Sequence, residues 1–169
     1  MTMFTKRALV ATLPASLAGA AVMAPFLSTG GYSLSVLAIF WFFSPVCHQD
    51  PARSFWILGA PVAVCARCLG IYLGAAVGAW IPARRKTLLL ALAIAAAANL
   101  ADVITEAGGL HGNWMSVRFG LGFALGGAIG ALVAGSAGVS PATMLFRAPA
   151  IPSANREALP STDCSLHTG

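Results

Sequence analysis

Residues 87–104 read TLLLALAIAAAANLADVI, eighteen residues in which only Thr87, Asn99 and Asp102 are polar. A helix of that length is about 27 Å long at 1.5 Å per residue, close to the hydrocarbon thickness of a bilayer. The rest of the chain agrees with a membrane reading. Of its 169 residues 58% are hydrophobic and 9% charged, and the mean hydropathy is +0.81, whereas a soluble domain carries about 25% charged residues. The expected fold is an all-α integral membrane bundle of four to five helices, with chemistry confined to loops and helix ends. The net charge of +5 comes from Lys6, Arg7, Arg53, Arg67, Arg84, Arg85, Lys86, Arg118, Arg147 and Arg156, spread between apolar runs. That layout fits topology signals and lipid headgroups and excludes a nucleic-acid face. The bilayer is the expected partner, and the expected location is a prokaryotic cytoplasmic membrane crossed several times.

On either side lie further apolar runs. Ala8 to Leu27 follows Lys6 and Arg7; its small-residue triplets Ala18-Gly19-Ala20 and Val22-Met23-Ala24 fit a cleavable signal peptide, but its length of about 20 residues predicts a retained helix. Gly30-Gly31 then breaks the chain. Ser33 to Val46 is a second run, His48 to Val64 a partly apolar loop, Cys65 to Ile81 a helix stopped by Pro82, and Val117 to Val139 the last helix. Three regions are therefore expected: 1–31 with the N-terminal helix, a membrane core over 32–139, and a disordered tail over 140–169 rich in Pro, Ser, Thr and Asn.

Glycines at 70, 74 and 78, and again at 122, 126 and 130, recur every fourth residue. Such small-residue stripes let helices approach closely in lipid, so the two helices that carry them are expected to pack together. Asn99, Asp102 and Glu106 share one helix face. Carboxylates near hydrocarbon need a partner, and Arg118 is the nearest in sequence. Two readings follow: an ion pair that ties a hairpin around His111 and Asn113, or a transporter or proton pathway.

The chemistry concentrates in Cys47-His48-Gln49 and Cys65-Ala66-Arg67-Cys68. Cys65 and Cys68 lie three apart at a helix start, so both sulfurs face one way, and the helix N-terminus with Arg67 favours thiolates. Together with Cys47 and His48 they supply the four donors of a Cys3His zinc site. His48 can join Cys47 on one ion only if the backbone turns, which Pro45 and Pro51 allow. Arg53 and Arg67 would support the ligands or contact an anion. The alternatives are a membrane thiol-disulfide oxidoreductase exchanging through Cys65 and Cys68, and cysteines that serve as small buried hydrophobes. Leu69, where a histidine would be needed, argues against haem attachment. Cys164 and His167 have no partner spacing and stay outside the site. Nothing in the sequence decides whether the protein is an enzyme.

Cys47-His48-Gln49, Arg53-Ser54-Phe55 and the run from Val64-Cys65-Ala66-Arg67-Cys68 to Gly74 resemble the signature of a domain-of-unknown-function family of small bacterial and archaeal multipass membrane proteins. The resemblance continues through Asp102, Gly108-Gly109, Asn113, Arg118, Gly122 and Gly126, and departs at Leu69, where members commonly carry Thr or Ser. It implies a membrane protein marked by its cysteines and arginines, and no particular activity.

The dense positive loop Arg84-Arg85-Lys86 is expected inside the cell, as are Lys6-Arg7 and Arg147, so the cysteines would face outward. That arrangement leaves a conflict: Ala8 to Leu27 and Ser33 to Val46 cannot both cross. Either the shorter run is re-entrant or one charge signal is violated. An outward site favours disulfide chemistry, an inward one zinc held by reduced thiols.

Overall fold

The computed structural model describes residues 2–110, 112 and 114–136. Five α-helices make up most of it: α1 Met3–Thr29, α2 Ser33–Phe43, α3 Ala66–Gly78, α4 Arg85–Ala107 and α5 Met115–Ser136. Three of them, α1, α4 and α5, are long and apolar enough to cross a membrane, and the protein is an all-α multipass membrane bundle. Large apolar side chains on α4 such as Leu90, Ile94, Leu100 and Ile104 point out of the bundle, as expected where lipid is the solvent. The tail at 140–169, with Cys164 and His167, and the hairpin residues His111 and Asn113 lie outside the described residues.

Helices α3 and α5 run parallel and form the tightest contact in the bundle. A methyl group added to Gly70, Gly74 or Gly78 would collide with the carbonyls of Phe119, Phe123 and Gly127 on α5. One added to Gly122, Gly126 or Gly130 would strike those of Arg67, Ile71 and Ala75 on α3. The two stripes therefore interlock reciprocally, each glycine seated on a carbonyl of the other helix, and the backbones approach to a distance that only glycine permits.

Helix α2 has only 11 residues, about 16 Å and shorter than a bilayer core, which fits the re-entrant reading of the second run; α3, with 13 residues, is also shorter than a full span. Helix α1 runs antiparallel to α3. Near its start, Arg7 Nη1 donates to the Trp80 carbonyl at 3.0 Å and the Phe4 ring packs at a tilt against Trp80; further along, Ala21 meets the loop before α3. Lys6 and Arg7 thus share one end of the bundle with the segment leading into Arg84, Arg85 and Lys86, while the cysteines occupy the other.

Pro25 lies inside α1 and has no N–H to offer the carbonyl four residues back, that of Ala21. The N–H of Ala63 takes that place at 3.2 Å. Around this bond Ala18, Ala21 and Ala24 pack with Phe43, Val62, Ala63, Val64 and Cys47 in the main apolar core. The segment expected to be plain loop holds more order than its composition indicates. Pro51–Arg53 forms a 3-10 turn capped by the Asp50 side chain. Trp56–Ile57 (β1) and Ala60–Pro61 (β2) then pair as a two-residue hairpin. Its turn residues Leu58 and Gly59 both have positive φ, 52° and 78°, as a type I′ turn demands.

Candidate metal centre

Each cysteine is placed by a different piece of backbone. Cys47 follows the last turn of α2, its N–H bonded to the Phe43 carbonyl at 2.9 Å. Cys65 caps α3 and Cys68 sits in that helix's first turn. Their three Sγ atoms lie within 4.8 Å of one another, and all three are free thiols, Cys47 buried and the others half-buried. A tetrahedral zinc with about 2.3 Å bonds would set its sulfurs about 3.8 Å apart, inside that limit. The Cys65 N–H donates to Cys47 Sγ at 3.3 Å, which gives that sulfur the donor a thiolate ligand uses. Hydrogen bonds from the Cys47 and Cys68 thiols, reinforced by the backbone N–H groups of Cys68 and Arg67, hold the Cys65 thiol well below its ordinary range against the opposing effect of burial.

Gln49 is the residue whose role the sequence hid. Its backbone has φ 53°, and its Nε2 donates to the Phe40 carbonyl at 2.7 Å and the Ala63 carbonyl at 3.0 Å. The Phe40 carbonyl is free because α2 tightens at its end, where the Ser44 N–H turns to Trp41 instead. One side chain thus ties the two segments that carry the cysteines. Neighbouring Ser54, fully buried, donates through Oγ to the Asp50 carbonyl at 3.0 Å.

His48 lines the same cavity as the thiols, together with Val46, Asp50, Arg53, Arg67 and Arg118, but its ring nitrogens lie outside the three-sulfur group. The arginines are anchored by carboxylates. Arg67 pairs with Asp102 and so connects α3 to α4. Arg118 pairs with Glu106, which also receives Arg53 at 3.2 Å; Arg53 in turn lies 3.3 Å from Asp50. Asp102 and Arg118 are 8% and 4% exposed, low values for charged groups and tolerable because they are paired. Asn99 is bound differently from the carboxylates on its face: its Nδ2 donates to the Ala95 and Leu121 carbonyls at 2.9 and 3.0 Å, joining α4 to α5. Arg118 therefore meets Glu106, while Asp102 meets Arg67, a partner 35 residues away that helix spacing could not single out.

A helical membrane bundle with three thiols and three carboxylate-held arginines at one end defines the class of this protein. Residues 47–132 match the family described as predicted membrane protein DUF2085, and the chain belongs to that family. An uncharacterised protein of Methanocaldococcus jannaschii is 38% identical over 97 residues, which cover 53% of this chain and 62% of that relative. The chain thus spans about three fifths of the relative's length. No solved structure matches the chain.

Proposed function

We propose that this is a metal-binding membrane protein in which Cys47, Cys65 and Cys68 hold one ion, zinc by donor type, and His48 completes a Cys3His set from the rim of the same cavity. The supporting observation is the convergence of the three sulfurs within 4.8 Å from two chain segments tied together by Gln49. Three thiolates on fixed backbone form most of a tetrahedral site, and a rotation of the His48 side chain supplies the fourth donor. Arg53 and Arg67 stand beside the ligands as charge-balancing neighbours. The test is metal analysis of the purified protein with His48→Ala alongside. The expected result is one zinc per chain in the wild type and about tenfold weaker retention against a chelator in the variant. Unchanged retention in the variant removes His48 from the set.

A second reading, thiol-disulfide exchange through Cys65 and Cys68, draws support from the lowered pKa of the Cys65 thiol. It predicts a Cys65-Cys68 disulfide and no stoichiometric metal. A proton pathway through Asp102 and Glu106 has less support, since both carboxylates are taken up by arginines.

A further inference from the structure

Three guanidinium groups line the cavity of about 240 Å³ that the cysteines share. Their anchoring carboxylates Asp102 and Glu106 stand outside that lining, and Asp50 is the one acidic residue within it among the described residues. The lining thus presents three guanidinium groups on the side formed by Arg53, Arg67 and Arg118, each also held by a carboxylate. Arg118 is 4% exposed, and its Nε, like the Nε of Arg67, is buried with no hydrogen-bond acceptor among the described residues. Buried guanidinium donors are costly when left without an acceptor. It is through the parts of Arg53, Arg67 and Arg118 that line the cavity that an entering acceptor would be bound.

We propose that this cavity binds a phosphate-class oxyanion, gripped by Arg53, Arg67 and Arg118 next to the three thiols. A tetrahedral oxyanion has enough lone pairs to serve three forked cations at once, and arginine is the side chain suited to that recognition. The volume admits a phosphate together with an ester arm. Free phosphate and the phosphodiester of a lipid headgroup present the same chemistry here, since the cavity sits at the helix ends where headgroups lie. The inference goes beyond the metal reading and does not need the ion.

The test uses the full chain in phospholipid-free detergent, with inorganic phosphate as titrant in calorimetry and native mass spectrometry for co-purified phosphatidylglycerol. Arg53 is half exposed, so Arg53→Gln should fold; Arg118→Lys keeps the charge but loses the fork; Arg84→Gln, at the opposite end, is the control. The expected result is one saturable phosphate or one retained phospholipid per chain, weakened at least tenfold in monodisperse Arg53→Gln and Arg118→Lys and unchanged in Arg84→Gln. Phosphate titration identifies a free oxyanion, and lipid retention without phosphate binding identifies a headgroup. Absence of both, or binding that survives both variants, overturns the proposal. Zinc is measured on the same samples, so oxyanion binding without metal sinks only the metal reading, and metal without oxyanion binding sinks only this one.

Discussion

Gln49 shows how much of the site rests on a residue with no chemistry of its own. Its amide satisfies two carbonyls that the surrounding turns leave exposed to the core, one on each cysteine-bearing segment. Gln49→Ala strands both, and the cost of unpaired buried acceptors is about 1–3 kcal/mol. The variant should melt measurably earlier in detergent and hold metal more weakly, read by thermal unfolding and by chelator competition. An unchanged melting point would show that water replaces the amide. At this scale the sequence disclosed the donor types: the thiols, the imidazole and the arginines were recognisable from their chemistry and spacing. What it withheld was pairing. That Arg67 would reach Asp102, or that Gln49 would brace the loop, depends on tertiary distances that no local period encodes.

Among the elements, the glycine interlock of α3 and α5 and the proline port of α1 fix where the site sits. Gly74→Ala should be damaging although alanine is the better helix former, because its methyl would fall on the Phe123 carbonyl. Gly120→Ala on the same helix as the second stripe meets nothing within 4 Å and should be tolerated. Yield and monodispersity of the two variants in detergent compare them directly, and equal behaviour would contradict the interlock. Pro25→Ala restores an N–H to compete for the Ala21 carbonyl, so the loop before Cys65 should loosen and metal retention fall, measured by the same chelator assay. The helices and both glycine stripes were legible as apolar runs and four-residue spacing. The hairpin at Trp56–Pro61 was not, because two-residue strands carry no period and its turn places Leu58 where glycine or asparagine is customary.

Taken whole, the molecule puts its basic loops, unpaired with carboxylates among the described residues, at one end and its thiol site at the other. Lys6, Arg7 and the segment before Arg84 gather at one end, tied by Arg7 to Trp80, while the thiols and the arginine–carboxylate network gather at the other. With α2 shorter than a bilayer core, the positive-inside rule predicts that the cysteines face outward. Intact cells treated with a membrane-impermeant maleimide after metal removal should therefore label Cys65 or Cys68 in a Cys164→Ser background, and labelling confined to inverted vesicles would reverse the orientation. An outer site is exposed to oxidants, where three close thiols survive reduced only if something protects them. Without a bound ion they favour the disulfide of the second reading, so the orientation assay bears on the choice between the two. The most direct measurement is the metal content of the purified protein, wild type beside Cys65→Ser, with free thiols counted on the same samples. One equivalent of zinc in the wild type and none in the variant is the predicted result; a metal-free wild type carrying a Cys65-Cys68 disulfide would contradict it.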